Sequence, residues 1–141
     1  MPTARRLALV ARTFGKWFRQ IDVQCTWQPS SVEYTELIGS ASDVSSSEIV
    51  VFYVDRFSEA RLLGCGGHLP NRPACIVAAA GTQWTTAHEA GHVLLSSNYL
   101  PVHHADEGNL MFAFSINRST PPWLNIDQVE QMRKSPLRRP A

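Results

Sequence analysis

The pattern of apolar and polar residues divides the first part of the chain into one helix and up to three strands. Between residues 4 and 19, apolar residues recur at helical spacing with basic residues between them, which predicts an amphipathic helix. Residues 21–27 alternate with the period of a half-buried strand, and residues 32–37 are a candidate for a second. The β-branched and aromatic run at 48–54 predicts a central strand that is apolar on both faces.

The middle of the chain is patterned less clearly. Residues 55–73 show no periodicity. The glycine cluster at 64–67 is interpreted as a turn or bulge, because it lacks the lysine of a phosphate-binding loop and the full dinucleotide fingerprint. A short apolar segment at 74–79 predicts a third strand, which Gly81 ends.

Helix signals dominate the second half. Thr82 or Thr85 can serve as the N-cap of a helix that begins just after them, and Asn98 is a candidate left-handed residue at its C-terminal end. A second, short helix is predicted at 126–134. The last residues, 136–141, are expected to form a flexible tail.

The first of these helices carries the pattern His-Glu-x-x-His. On a helix, residues four apart lie about 40° apart around the axis, so His88 and His92 can present two imidazole nitrogens to one metal ion. Glu89 lies about 100° from His88, beside an open coordination position, where it can act as general base on a metal-activated water. This pattern predicts a catalytic Zn²⁺ site with Glu89 as the catalytic residue.

A catalytic zinc ion needs a third protein ligand. Pro101 prevents the helix from continuing, so the segment that follows it is predicted to be a loop that can fold back. Two adjacent histidines in this loop, His103 and His104, are the candidates for the third ligand. Asp106 or Glu107 can orient a ligand imidazole from outside the coordination sphere.

Length and charge limit the classes of function. A chain of 141 residues, of which 44% are apolar, is expected to form one catalytic domain over residues 1–141. The formal charge of +1 gives no electrostatic case for nucleic acid, and the basic ends are interpreted as solvated surface. No apolar run approaches the roughly 20 residues of a membrane-spanning helix. A monomer is expected.

The three cysteines bear on the compartment. Cys65 and Cys75 flank a glycine- and proline-rich segment and can form a disulfide, with Cys25 left over; three buried thiols are the alternative. Because a disulfide suits an oxidising compartment, an exported protein is favoured over a cytoplasmic one.

Residues 76–111 resemble the metzincin clan of zinc peptidases. An apolar strand precedes the helix, and His88, Glu89 and His92 match the first three positions of the clan's motif. The segment Asn109-Leu110-Met111-Phe112 is similar to the clan's Met-turn, whose methionine, here Met111, lies beneath the metal. The resemblance implies a compact α+β fold of zincin type. Its parts are a twisted, mostly parallel sheet with an antiparallel edge strand, an active-site helix, a Met-turn and a C-terminal helix.

The resemblance also implies a zinc-dependent endopeptidase, and an edge strand at 74–80 that binds an extended peptide through its backbone. The chain departs from the clan's pattern at two positions, where Leu95 replaces a helix-ending glycine and Asn98 replaces the third histidine. We therefore expect the helix to continue for about one turn beyond the usual stop, with His103 as the third ligand and His104 as its rival.

Two other functions fit parts of the sequence. An intracellular His-Glu-x-x-His peptidase of the repressor-cleaving type draws its third ligand from a later helix, where Glu130 is the only glutamate. A non-catalytic zinc-binding interaction module is the second alternative, and the presence of Glu89 argues against it because binding alone does not require that carboxylate.

Overall fold

The computed structural model describes residues 5–7, 9–13, 17–18, 39–45, 47–57, 63–69, 72–96, 98–113 and 119–140. These residues form an α+β structure with a mixed sheet. The strands are β1 (Arg5–Leu7), β2 (Leu9–Thr13), β3 (Trp17–Phe18), β4 (Ile49–Val54), β5 (Arg56–Phe57), β6 (Gly64–Leu69), β7 (Arg72–Ala78) and β8 (Arg138–Pro140). The helices are α1 (Thr85–Leu95) and α2 (Ile126–Arg133). The predicted strands at 21–27 and 32–37 lie outside the described residues.

The main sheet has four strands in the order β2-β4-β7-β6. Strands β2, β4 and β7 are parallel, and β6 pairs antiparallel with β7 at one side of the sheet. Five of the six residues of β4 are buried, which confirms the prediction of a central strand covered on both faces. Two short sheets accompany it, one formed by β1 and β8 and the other by β3 and β5.

Helix α1 packs on the sheet through β6 and β7. Alternate residues of β4 and β7 point towards the helix, as the two-residue period of a strand requires. Together they form a core that excludes water from one side of the helix, and its members are Ile49, Val51, Cys75, Val77, Ala90, Val93 and Leu137. A second cluster joins the two helices and contains Leu95, Met111 and Met132. Helix α1 is therefore held by packing on two of its sides.

The N-terminal region corrects one prediction. The described residues within 4–19 are not helical, since they form β1, β2 and β3. Strand β2 runs parallel to β4, with Val10 opposite Val50. The apolar spacing along 4–19 allows either structure, and pairing with a distant strand, which a local pattern does not reveal, selects the extended form.

The C-terminal tail is also more ordered than predicted. Leu137 is buried in the core, and the three residues that follow it pair with β1 in antiparallel register, Arg6 opposite Arg139. The prediction of a flexible tail at 136–141 is wrong for 136–140, because this segment finds its partner at the opposite end of the sequence. Residue 141 lies outside the described residues.

The glycine cluster is the third correction. Instead of a turn or bulge, it forms most of strand β6. Strand β7 consequently lies between β4 and β6, and β6 is the outermost described strand on that side. The predicted edge strand at 74–80 is therefore an interior strand, and the antiparallel edge of the sheet belongs to the glycine-rich segment.

The cysteines do not pair as expected. Cys75 is a free, buried thiol, while Cys65 is disulfide-bonded. In the β6–β7 ladder Cys65 lies opposite Ile76 and Cys75 lies opposite Gly66, so the two cysteine side chains point to opposite faces of the sheet. A disulfide between them is excluded by that register. Burial raises the pKa of the Cys75 thiol, and the nearby Glu89 raises it further.

Among the described residues, no helix has the length and the apolar character that a membrane crossing requires.

Candidate metal centre

Helix α1 begins after Trp84, whose side chain makes no capping hydrogen bond. The predicted N-caps, Thr82 and Thr85, serve a different purpose. The Thr85 hydroxyl accepts the backbone N–H of Thr82 at 2.9 Å, and the Thr82 hydroxyl accepts that of Trp84 at 3.3 Å. The two threonines thus stabilise the turn that leads from β7 into the helix, which sets the direction in which α1 leaves the sheet.

The helix ends at Leu95, the position at which the metzincin pattern has its glycine. Ser96 follows with a φ of 71°, so the left-handed residue is Ser96 and not Asn98. Leu95 is buried against Met111 and Met132. The expected extra helical turn is therefore absent, because the apolar side chain of Leu95 fits a packed interior site and the chain turns at the serine.

Three histidines meet beside the helix. The Nε2 atom of His92 lies 3.1 Å from Nε2 of His88 and 3.1 Å from Nε2 of His103. One ligand nitrogen from each ring falls within 4.8 Å of the other two. Zinc with nitrogen ligands at about 2.0–2.1 Å in tetrahedral geometry separates those nitrogens by about 3.4 Å. The two separations of 3.1 Å are close to that value.

The hydrogen bond of His88 sets its tautomer. Nδ1 of His88 lies 2.7 Å from the carbonyl oxygen of Leu110, and because a carbonyl only accepts, Nδ1 carries the proton. In the neutral ring Nε2 then holds the lone pair that a metal requires. Burial lowers the pKa of His88 and of His103, and it lowers that of His92 to about 3 with help from the neighbouring histidines. Neutral rings are the form that binds metals.

His104 points away from this cluster. Its ring stands edge-on to Trp123 at a centroid distance of 5.4 Å, and its Nδ1 accepts the backbone N–H of Asp106 at 3.0 Å. Its own backbone N–H donates to the carbonyl of Met111 at 2.9 Å. Of the two adjacent candidates, the structure brings only His103 to His88 and His92.

Glu89 lies apart from the three nitrogens, on the side of α1 that faces β6. It is only 6% exposed, and burial raises its carboxyl pKa to about 8. A Cβ atom at Gly64 would lie 2.8 Å from Cγ and Oε1 of Glu89, and one at Gly66 would overlap the backbone carbonyl of Glu89. The carboxyl group of Glu89 therefore occupies space left by Gly64, and its backbone carbonyl occupies space left by Gly66.

Met111 lies below the helix on the opposite side. It is fully buried, and a Cβ atom at Gly91 would lie 2.5 Å from its Sδ atom. The glycine inside the His-Glu-x-x-His pattern thus allows the methionine to approach the helix axis. The Met-turn resemblance implies that Met111 lies beneath a metal ion, and the contact seen in the structure is with the helix at Gly91.

Several residues that support the site gave no clear signal in the sequence. Gly64 and Gly66 lay in a segment interpreted as a loop, and only their pairing with β7 assigns them a role. Asn109 and Gln128 form a buried amide pair beside the histidine-bearing loop. The position of Gln128 in the first turn of α2 is predictable from the sequence, since Asn125-x-x-Gln128 has the spacing of a capping box.

The predicted acids of the loop do not orient the histidines. Asp106 accepts the backbone N–H of Gly108 at 2.7 Å, and Glu107 is exposed. The carbonyl of Leu110 takes the orienting role instead. Glu130, the acid required by the repressor-cleaving alternative, is exposed on α2 and is not a member of the three-histidine cluster.

The arrangement can hold one metal ion in three neutral imidazoles with a position left open for water or substrate. Comparisons with known proteins add no identity to this geometry, since no protein-family model, no curated protein and no solved structure matches the chain.

Proposed function

We propose that this chain is a zinc-dependent endopeptidase of the metzincin type. The observation that carries the proposal is the convergence of His88, His92 and His103 on one point, with a buried carboxylate, Glu89, on the same turn of the same helix. The position of Met111 under that turn and the sheet with an antiparallel outer strand support the resemblance.

Zinc is proposed because three imidazoles with one open position match its catalytic ligand set. When bound, Zn²⁺ would supply Lewis-acid activation of water and of the scissile carbonyl. The Leu110 carbonyl holds the His88 ring with its lone pair directed at the cluster. Glu89 is proposed to take the proton of the attacking water and to return it to the leaving amine.

The substrate is proposed to be an extended polypeptide that adds to the outer edge of β6. Peptides commonly bind exposed sheet edges through main-chain hydrogen bonds. Gly64 and Gly66 lie on the same strand that receives Glu89, so a peptide paired with β6 would run beside the carboxylate. The disulfide at Cys65 supports an exported protein, because such bonds persist in oxidising compartments.

The decisive experiment is Glu89→Gln, which keeps the size of the side chain and removes the base. Hydrolysis of a fluorescently labelled, denatured protein is expected to fall by about 10²–10⁴-fold, the usual contribution of general acid–base catalysis, while Zn²⁺ content measured by mass spectrometry is unchanged. Glu130→Gln, at an exposed glutamate on α2, is the matched control and should keep full activity.

Undiminished hydrolysis by Glu89→Gln would exclude the proposed base. Loss of both hydrolysis and bound Zn²⁺ in Glu130→Gln would instead support the repressor-cleaving alternative, in which Glu130 is the third metal ligand. If the wild-type protein binds Zn²⁺ and hydrolyses no polypeptide, the chain is a metal-binding module.

A further inference from the structure

We propose that Asn109 and Gln128 are a positioning pair that holds the Leu110 carbonyl against His88 and thereby fixes the tautomer of that histidine. The inference rests on the metal-binding part of the proposed function, because the tautomer matters to a metal ligand. It assigns a role to two amides that lie outside the His-Glu-x-x-His pattern.

The two side chains bind each other reciprocally. Nδ2 of Asn109 donates to Oε1 of Gln128 at 2.8 Å, and Nε2 of Gln128 donates to Oδ1 of Asn109 at 3.1 Å. Asn109 is completely buried and Gln128 is 2% exposed. An amide left without a partner in such surroundings costs roughly 1–3 kcal/mol, so each side chain strongly favours the orientation that satisfies the other.

The pair is connected to both sides of Leu110. Oδ1 of Asn109 accepts the backbone N–H of Met111 at 2.8 Å, which closes a tight turn around Leu110. The N–H of Leu110 donates to the carbonyl of Trp123 at 2.9 Å, and the carbonyl of Leu110 accepts from Nδ1 of His88. The direction of this carbonyl is therefore determined by the turn that the Asn109 side chain closes.

Helix α2 supplies the fixed end of the pair. Oε1 of Gln128 also accepts the backbone N–H of Asn125 at 2.9 Å, and the Asn125 side chain accepts that of Gln128 at 2.8 Å, which completes a capping box. Gln128 thus belongs to the first turn of α2 and cannot move without disrupting the start of that helix. The path runs from α2 through two amides and one peptide group to the ring of His88.

Breaking the Asn109–Gln128 pair is expected to change the protonation of the His88 ring as well as its orientation. A neutral imidazole whose proton sits on Nε2 has no lone pair for a metal at that atom. Substitution of groups that orient a metal ligand in this indirect way typically lowers metal affinity by about 10–100-fold. The same loss of affinity is expected when the Asn109–Gln128 pair is broken, although neither side chain touches the three-histidine cluster.

The test is Gln128→Met, which keeps the length of the side chain and removes both of its bonds to Asn109. The matched control is Gln131→Met on the same helix, where the amide donates to the carbonyl of Leu95 at 3.4 Å and does not reach the loop. Zn²⁺ affinity is measured by competition with a chromophoric chelator. The His88 tautomer is read from imidazole ¹⁵N shifts of the metal-free protein near neutral pH.

Gln128→Met is expected to lower Zn²⁺ affinity by about 10-fold or more. In the metal-free variant, a population of His88 with its proton on Nε2 is expected to appear beside the Nδ1–H form. Gln131→Met is expected to change neither the affinity nor the tautomer. Unchanged tautomer and affinity in Gln128→Met, or equal changes in both variants, would overturn the proposal. If Gln128→Met does not fold, Gln128→Glu replaces it. Gln128→Glu keeps an acceptor for Asn109 and Asn125, and its ionised carboxylate has no donor for Oδ1 of Asn109. The same two readouts decide.

The tautomer is measured without metal, so this result is independent of catalysis. A wild-type protein that shows the Nδ1–H tautomer but hydrolyses no polypeptide would refute the peptidase and leave the positioning pair intact. If the wild-type protein hydrolyses polypeptides but Gln128→Met leaves the His88 tautomer unchanged, the positioning pair is refuted and the proposed function is not.

Discussion

The two sides of helix α1 are built in opposite ways. On the strand side, where α1 meets β6, the absence of side chains at Gly64 and Gly66 makes room for the carboxylate and backbone of Glu89. On the loop side, where α1 meets residues 103–112, hydrogen bonds and the buried Met111 hold the histidines. Glu89 is positioned by steric fit, and His88 is positioned by its hydrogen bond to the Leu110 carbonyl.

The difference determines how each side responds to substitution. A steric site tolerates no added atoms next to backbone, because neither element can retreat without disturbing the sheet. A site held by hydrogen bonds tolerates changes of volume at the surface but loses its geometry when one donor or acceptor is removed. Glycine substitutions should therefore act on the strand side, and polar truncations on the loop side.

The largest effect is expected from Gly66→Ala on the strand side. The new methyl group would overlap the backbone carbonyl of Glu89, so β6 and α1 must separate. We expect the free energy of unfolding, measured by urea denaturation, to fall by about 3 kcal/mol or more. Gly39→Ala is the control, because no atom lies within 4 Å of the position of its added methyl group. A fall of less than about 0.5 kcal/mol in Gly66→Ala would mean that β6 and α1 are not in close contact.

On the loop side, His103→Ala should be the most damaging change. Removing one of three ligand nitrogens is expected to lower Zn²⁺ affinity by more than about 100-fold, beyond the usual effect of residues that only orient a ligand. His104→Ala is the natural comparison, since its ring contacts Trp123 and not the cluster. Equilibrium dialysis against Zn²⁺ measures both variants. Equal losses would contradict the division between the two adjacent histidines.

A smaller effect is expected from Gly64→Ala. Its methyl group would meet the flexible end of Glu89 at 2.8 Å rather than backbone, so the side chain can move and the protein should fold with a loss of about 1 kcal/mol. The displaced carboxylate is expected to lower kcat by about 10-fold, equivalent to about 1.4 kcal/mol. Zn²⁺ affinity should stay at the wild-type value. If Gly64→Ala lowers Zn²⁺ affinity and leaves kcat unchanged, a substitution on the strand side of α1 affects the histidines on the loop side, which contradicts the division between the two sides.

The patterns that predicted structure correctly are those whose cause is local. The spacing of His88 and His92 follows from the helical repeat, and the continuous apolar run at 48–54 indicates a strand buried on both faces. The short helix predicted at 126–134 is found as α2 at Ile126–Arg133, where the Asn125–Gln128 capping box is encoded within four residues.

The predictions that failed concern partners far away in the sequence. The described residues within 4–19 form strands rather than a helix, since β2 pairs with β4. Residues 138–140 form β8 because they pair with β1. The glycine cluster is predicted to be a turn or bulge, and glycine is in addition a poor strand former. In the fold, the cluster pairs with β7 as strand β6. Glycine is needed there because a side chain at Gly64 or Gly66 would overlap Glu89.

The sequence by itself determined that His88, Glu89 and His92 share one helix, because the helical period is a property of neighbouring residues. The tertiary structure decided that His103 rather than His104 joins them, since that choice depends on how the loop closes against Trp123 and Met111. It also decided which strand receives Glu89. Contacts between segments far apart in sequence depend on packing across the whole chain, which no local pattern encodes.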